Sequence, residues 1–184
     1  KRPKRIAWIQ CVGSRDPHIG RGYCSSVCCM YATKEAVIAK EHDPDVEATI
    51  FYMDMRAYGK DFDKYIERAR DEYGVKYVRS RISQVTEDLV THNLRIAFET
   101  ENGELIRDEF DMVVLSLGLE APRDTHDIAE VFGIDLNDYG FARTDSFEPL
   151  KTSRPGVFVG GTFSGPKDVP ETVAQASGVA AEAS

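Results

Sequence analysis

The residues with the clearest chemical potential are four cysteines, which lie between positions 11 and 29 and are the chain's full complement: Cys11, Cys24, Cys28 and Cys29. Thiolates are soft ligands that suit iron–sulfur clusters and zinc. Structural zinc sites usually draw on paired Cys-x-x-Cys motifs, and the adjacent Cys28 and Cys29 do not fit that spacing. Cysteine is also often buried as an inert apolar residue. The spacing therefore favours an iron–sulfur site and leaves a zinc site and inert thiols open.

These cysteines fall between a predicted strand and a predicted helix. Residues 6–10 form a short apolar run that is typical of a buried strand. The pattern from Ser25 or Ser26 to Glu41 predicts a helix, with Ser25 as its cap. The elements thus place Cys11 at the end of a strand and the other three cysteines at the start of a helix.

A helix start suits a group of thiolates for two reasons. On one helical turn Cys24 and Cys28, four residues apart, face the same way, and Cys29 lies about a third of a turn further round. The N–H groups and the positive potential of a helix start stabilise thiolates and an anionic cluster. Cys11 would join them from the strand end.

The same position is where a nicotinamide-binding domain keeps its Gly-x-Gly-x-x-Gly loop, directly after the first strand. Residues 11–16 do not match that motif, and Gly20-Arg21-Gly22 comes too late to form the tight turn. Asp54 stands near the end of the second predicted strand, where an acid would contact a ribose, but a solvated acid gives the same pattern. We therefore expect poor NAD(P) binding.

The remaining elements predict an α/β fold. After the first strand and helix come a strand over 48–52, a helix over 61–73 and a strand over 75–78. Three strands of period two follow over 82–87, 93–99 and 105–110. The last predicted elements are strand 112–115, helix 127–132, strand 156–161 and helix 169–183. This order predicts a Rossmann-like three-layer domain with a parallel sheet, an antiparallel three-stranded meander with an Asn102-Gly103 turn, and a C-terminal strand–helix piece.

Composition excludes several classes of function. The net charge of −8 and the pI of about 5.1 argue against a general nucleic-acid or anionic-membrane binder. No apolar run is long enough for a transmembrane segment, and the sequence shows no signal-peptide pattern, so we expect a cytoplasmic protein with reduced thiols. The chain begins without Met, which indicates a segment of a longer protein.

The order of elements resembles the thioredoxin-reductase-like flavoproteins, in which a nucleotide domain with a three-stranded meander is inserted in a flavin domain. Residues 110–118 resemble the strand that returns to the flavin domain, and residues 152–161 resemble the closing strand beside the flavin. The resemblance divides the chain into an NAD(P)-binding-type domain that carries the cysteines, residues 1–118, and a linker with the C-terminal part of an FAD-binding domain, residues 119–184.

Residues 9–16, 23–32 and 165–176 narrow the resemblance to HdrA, the iron–sulfur flavoprotein family of the heterodisulfide reductases of methanogens and sulfate reducers. The resemblance implies an oxidoreductase with one [4Fe–4S] cluster on the four cysteines. Electrons would pass between FAD and that cluster. The implied partners are other heterodisulfide reductase-type subunits and ferredoxin or hydrogenase-type electron carriers, and a homodimer is compatible with this interpretation.

Two other interpretations stay open. One is an NAD(P)H-dependent flavin disulfide reductase with the thiols as its redox groups, although Cys24-x₃-Cys28 matches neither usual dithiol spacing of that class. The other is a zinc-stapled interaction module.

The resemblance also assigns part of an FAD site to six residues: Gly161, Thr162, Lys167, Asp168, Val169 and Pro170. Thr162 stands where the family has an aspartate that bonds the flavin ribityl chain. Asp168 and Glu171 predict a capping box with Pro170 in the first turn, and the family aims this helix start at the flavin; an ordinary capped helix explains the same residues. Since the motif for the ADP half of FAD is absent, we expect the chain alone to bind FAD weakly or not at all and to be inactive.

Overall fold

The computed structural model describes residues 2–184, which fall into two compact units. The first contains the chain up to Val12 together with Cys28–Leu117. The second contains Gly13–Val27 and Gly118–Ser184. The loop between the first strand and the first helix therefore belongs to the second unit.

The first unit holds all seven strands and two of the four helices found over residues 2–184. The strands are β1 (Arg5–Val12), β2 (Glu47–Tyr52), β3 (Lys76–Arg79), β4 (Gln84–Glu87), β5 (Leu94–Glu99), β6 (Leu105–Phe110) and β7 (Met112–Leu117). The helices are α1 (Cys28–His42) and α2 (Phe62–Asp71) in the first unit, and α3 (Thr125–Phe132) and α4 (Val169–Glu182) in the second.

The first unit is built on a parallel sheet of order β3-β2-β1-β7. One face of β1 places Trp8 in an apolar cluster with Ala32 and Ala36 of α1 and Ala69 of α2. The opposite face places Ala7 in a second apolar cluster with aromatic and aliphatic residues of β2, β5 and β6. Helices on one face and the meander on the other make three layers, which confirms the predicted α/β fold.

The meander is an antiparallel sheet of order β4-β5-β6. Gly103 has φ +81 and its N–H donates to the carbonyl of Thr100 over 2.9 Å, which closes the turn between β5 and β6. A left-handed φ of this kind favours glycine because a Cβ would be strained there. The Asn102-Gly103 turn is therefore confirmed.

The start of α1 differs from the prediction, because the helix begins at Cys28 and not at Ser25 or Ser26. Ser26 has φ +61, a left-handed conformation that no right-handed helix contains. Ser25 is no helix cap: it is fully buried and its Oγ accepts a hydrogen bond from the N–H of Leu119 over 2.8 Å. The prediction that Cys24 and Cys28 share one turn of helix is therefore wrong.

The predicted strand over residues 156–161 is also absent from the part of the chain that the structure describes. Residues 157–159 are hydrogen-bonded to 150–152, with Lys151 and Phe158 forming a single isolated bridge. A strand needs a continuing ladder to a neighbour, and from Gly161 the chain enters a 3₁₀ turn that ends at Ser164. Residues 150–159 therefore form a narrow loop instead of a strand, despite the apolar pattern of 156–161.

The sequence predicts no transmembrane segment, and the lengths of the helices bear on this prediction. Across residues 2–184, none of them combines the length and the hydropathy that a bilayer crossing requires.

Candidate functional site

Three of the four cysteines meet in the first unit, where β1 ends and α1 begins. Cys11 is the next-to-last residue of β1, and Cys28 and Cys29 open α1. The Cys28 thiol is hydrogen-bonded with the thiols of both Cys11 and Cys29. Cys28 is 1% exposed and Cys29 is 4% exposed, so these thiols are shielded from water.

Cys11 is held in an unusual backbone conformation. Its φ is +61, and the pairing of β1 with β7 shifts register between Ile9 and Val12. A left-handed, non-glycine residue is strained by roughly 1 kcal/mol or more, and such irregularities re-aim a side chain at the end of a strand. The fold therefore accepts strain at the residue that brings the third thiol to Cys28.

The contacts of Cys28 change its acidity. A hydrogen bond with Cys11 lowers its pKa, but the hydrogen bond with Cys29, burial and the charge of Cys29 together raise the pKa of Cys28 to about 11. This thiol is neutral at pH 7 in the metal-free protein. A cation that bound it would displace the proton and supply the missing positive charge.

The thiol of Cys29 is contacted by the segment that follows β2. The N–H of Arg56 donates to Cys29 Sγ over 3.4 Å, and the Sγ lies 4.0 Å from the carbonyl oxygen of Asp54. Arg56 Nε also donates to the Asp54 carboxylate over 3.1 Å. The carboxylate that the sequence placed near a ribose site is thus ion-paired beside a cysteine.

Cys24 lies in the second unit, and its Sγ accepts a hydrogen bond from the N–H of Ser26 over 3.3 Å. It is joined to Cys28 through three residues. Over the described residues 2–184, no three or more His, Cys, Asp or Glu side chains adopt an arrangement that could hold a metal ion.

The six residues assigned to a flavin lie in the second unit on one continuous segment. The segment runs from the 3₁₀ turn Gly161–Ser164 to the first turn of α4. The Asp168 carboxylate accepts from the N–H of Glu171 over 2.8 Å, and Pro170 occupies the first turn, which confirms that Asp168 caps this helix.

Two neighbours of that cap are also constrained. Gly161 has φ +73, its N–H donates to Gln175 Oε1 over 2.8 Å, and a Cβ on it would lie 2.9 Å from Thr172 Cγ2. Lys167 Nζ donates to the carbonyl of Gly165 over 3.3 Å, and burial lowers the pKa of Lys167. The backbone here is fixed, and a partly desolvated cation lies next to the helix start.

Sequence reasoning missed two buried polar side chains in the first unit. Gln10 is 7% exposed and Ser116 is fully buried, yet within the described residues neither Gln10 side-chain polar atom nor Ser116 Oγ reaches a partner in hydrogen-bond geometry. The available signal was a polar residue inside each of two apolar strands, 6–10 and 112–117.

Residues 18–180 match the pyridine nucleotide-disulphide oxidoreductase family, and the chain belongs to this family of oxidoreductases. The sequence is similar along its whole length to the HdrA proteins of heterodisulfide reductases. It is 47% identical over 183 residues to the HdrA protein of the H(2)/formate:CoB-CoM heterodisulfide,ferredoxin reductase of Methanococcus maripaludis, covering 98% of this chain and 28% of that protein.

Two further relatives show the same coverage. One of the iron-sulfur HdrA proteins of the CoB--CoM heterodisulfide reductase of Methanopyrus kandleri is 46% identical over 187 residues, with 100% of this chain and 28% of that protein covered. An HdrA-like protein of Archaeoglobus profundus is 37% identical, with 100% of this chain and 26% of that protein covered. The chain thus spans about a quarter of the length of these relatives.

Solved structures agree on the fold. The thioredoxin reductase of T. acidophilum matches with a TM-score of 0.61 at 17% identity, over 98% of this chain and 51% of that one. LpdA from Mycobacterium tuberculosis matches with a TM-score of 0.56 at 16% identity, over 94% of this chain and 33% of that one. The thioredoxin-reductase-like architecture expected from the order of elements is therefore confirmed.

Proposed function

We propose that this chain is the electron-transfer segment of an HdrA-like flavoprotein of the heterodisulfide reductase type. It relays single electrons between FAD and one [4Fe–4S] cluster held by Cys11, Cys24, Cys28 and Cys29. The observation that carries the proposal is the meeting of three thiols at the end of β1 and the start of α1.

The chemical type of the donors suits a cluster. A [4Fe–4S] cube takes four thiolates, and Cys11, Cys28 and Cys29 supply three that are in mutual contact or adjacent. Cys24 is four residues from Cys28, so chain geometry alone limits their Cα separation to about 14 Å. N–H donors already reach the sulfur atoms of Cys24 and Cys29, as they do around cluster ligands.

The neighbourhood favours a cluster over a nucleotide phosphate. In a dinucleotide-binding fold a short glycine turn joins the first strand to the first helix, whereas here residues 13–27 separate β1 from α1. Gly20, the nearest motif glycine, ends the 3₁₀ turn Pro17–Ile19 far along this loop. We keep the prediction of poor NAD(P) binding on this ground.

The second unit supplies one side of an FAD site in this proposal, through Gly161, Thr162, Lys167, Asp168, Val169 and Pro170. When bound, FAD would exchange two electrons with a partner and single electrons with the cluster. The N-terminus of α4, which Asp168 caps, and the Lys167 ammonium favour negative charge nearby.

The proposal extends to the setting of the protein. The relatives' names describe components of reductases that act on a CoB-CoM heterodisulfide, some of them with ferredoxin. We propose other heterodisulfide reductase subunits and ferredoxin or hydrogenase-type carriers as partners, a homodimer as a compatible assembly, and a cytoplasmic location.

A second candidate is a flavin disulfide reductase whose thiols are the redox groups, and the hydrogen bond between Cys11 and Cys28 favours it. Against it, Cys28 and Cys29 are buried from any disulfide substrate, and the raised pKa of Cys28 leaves little nucleophilic thiolate.

Iron analysis of anaerobically purified protein and its single cysteine variants distinguishes these functions. We expect each of Cys11→Ala, Cys24→Ala, Cys28→Ala and Cys29→Ala to lower the iron content by about four atoms per chain relative to wild type. Stoichiometric zinc in place of iron would favour the zinc-stapled module. Unchanged iron in the Cys24→Ala variant would remove Cys24 from the ligand set, and tight NADH binding would favour the disulfide reductase.

A further inference from the structure

Gln10 is a buried amide without a partner. It lies on β1 directly before Cys11, it is 7% exposed, and neither Nε2 nor Oε1 forms a hydrogen bond within the described residues. A buried amide that forms no hydrogen bond destabilises the fold. Such a group in a native structure requires an explanation, and a role at a redox or catalytic site is one.

Ser116, on the neighbouring strand, is a second buried polar residue of this kind. It is fully buried on β7, and its Oγ reaches no partner in hydrogen-bond geometry within residues 2–184. β1 and β7 are parallel with Ile9 opposite Leu115, and Gln10 and Ser116 are the next residues along the two strands, where the register begins to shift. Both unpaired groups therefore directly follow the same residue pair of the sheet.

Both side chains belong to the face that α1 covers. Trp8 of β1 and Val114 of β7 belong to the apolar cluster formed with α1. Side chains alternate between faces along a strand, which puts Gln10 and Ser116, two residues further on, on that same face. The face thus changes from apolar to polar toward the carboxyl ends of β1 and β7.

The thiols lie at that end of the same face. Cys28 and Cys29 are buried in the first turn of α1. The hydroxyl of Tyr31, one turn along, donates to the carbonyl of Leu117 over 2.6 Å. Burial and the charge of Cys28 raise the pKa of Tyr31, and an interaction with the Ser116 hydroxyl partly opposes that rise. One neighbourhood of the first unit therefore holds three thiols and two buried groups capable of donating hydrogen bonds.

We infer that the Gln10 amide and the Ser116 hydroxyl donate hydrogen bonds to the sulfur atoms of the cluster proposed above, and thereby raise its reduction potential. This inference rests on the proposed function. Cluster sulfides and ligand thiolates are anionic acceptors, and reduction adds a further negative charge. Donors aimed at these sulfur atoms therefore stabilise the reduced cluster more than the oxidised one.

The main test is a redox titration of the anaerobic protein, followed by EPR. Gln10→Met keeps the length and removes the polar atoms, Ser116→Ala removes the hydroxyl, and Gln84→Met is the matched control at an exposed position of β4. We expect a more negative midpoint potential in the first two variants and the wild-type potential in the control. A wild-type potential in both Gln10→Met and Ser116→Ala overturns the inference.

The metal-free protein supplies an independent readout. Because Gln10→Met removes an unpaired buried amide, we expect it to raise the thermal unfolding midpoint of the reduced, iron-free chain, while Gln84→Met leaves it unchanged. A lowered midpoint would show that the amide is bonded within the metal-free protein and would overturn the inference.

Failure of the proposed function looks different from failure of this inference. A wild-type protein that binds no iron rejects the cluster itself, and the inference falls with it. A wild-type protein that binds iron at a potential that the variants leave unaltered rejects the role of Gln10 and Ser116 alone. If Gln10→Met does not fold, Ser116→Ala, a smaller change, decides the question.

Discussion

The backbone N–H of Arg56 donates a hydrogen bond to the Sγ of Cys29 over 3.4 Å. The two residues are 27 positions apart, one just after β2 and the other in the first turn of α1. In a dinucleotide-binding fold the end of the second strand contacts a ribose. Here the corresponding segment contacts the Cys29 thiol, and Cys11 lies at the end of β1, near the position of the glycine turn.

Removing the Arg56 N–H tests whether this contact supports the proposed metal site. We expect Arg56→Pro, which lacks the N–H, to lose iron faster in air than wild type, since a hydrogen bond to a ligand thiolate is removed. Arg56→Ala is the control because it keeps the N–H and removes the side chain with its exposed ion pair to Asp54, a kind of pair that contributes little. Iron release followed by absorbance measures the difference, and equal rates for the two variants would contradict the prediction.

The pattern of apolar residues was sufficient to predict the sheet and the meander. The strands of period two and the buried runs, apart from residues 156–161, became β1 to β7. Alternation and burial are decided by neighbours close in the sequence or by the general need for a core. The start of α1 was not predictable in this way. Ser25 and Ser26 have the composition of a helix cap, but Ser25 is bonded to Leu119, 94 residues away.

Some residues of the candidate site could be predicted from the sequence and others could not. The cysteines are visible in the sequence because their type and spacing are unusual. The role of Arg56 is not, since it acts through its backbone, which every residue type except proline shares. Gln10 and Ser116 look like tolerated polar residues in apolar strands, and only the packing of α1 over the sheet shows that they are buried without partners.

The raised pKa of Cys28 predicts how the metal-free protein responds to pH. The ordinary pKa of the thiol is 9.0, and in the fold its pKa is about 11. The unfolded chain therefore loses this proton first as the pH rises. The contribution of Cys28 to stability is complete below pH 9 and is lost as the pH rises through 11, a change of up to about 3 kcal/mol.

Denaturant titrations of reduced, iron-free protein at pH 8 and at about pH 10.5 measure this loss. Burial also raises the pKa of Tyr31 and Tyr77, which adds a loss of the same sign. Cys28→Ser isolates the cysteine, because the tyrosines remain. We expect a smaller fall in the free energy of unfolding in Cys28→Ser than in wild type, and equal falls would show that Cys28 does not titrate as described.

Gly161, in the second unit, is a position where we expect alanine to be poorly tolerated. Its φ is +73, and an added Cβ would lie 2.9 Å from Thr172 Cγ2 on α4. Gly156 is a matched control, since its φ is +81 but no atom lies within 4 Å of its Cβ position. Gly156→Ala should lose roughly 1 kcal/mol from backbone strain alone, and Gly161→Ala should lose more. Thermal unfolding compares them, and a Gly161→Ala variant as stable as Gly156→Ala would show that α4 moves away without cost.

Asp168 connects the stability of α4 with the proposed flavin site. Its carboxylate accepts from the N–H of Glu171 over 2.8 Å and so satisfies one of the free N–H groups of the helix start. We expect Asp168→Ala to lower the free energy of unfolding by about 1 kcal/mol, and Asp168→Asn to keep most of it, because asparagine also caps helices well. If the helix start also favours the negative charge of a reduced flavin, Asp168→Asn removes a nearby like charge. It should then raise the flavin potential, measured in the longer FAD-loaded protein of which this chain is a segment, while the fold stays intact. If the flavin potential changes only in the variant that loses stability, Asp168 acts on the flavin solely by capping the helix.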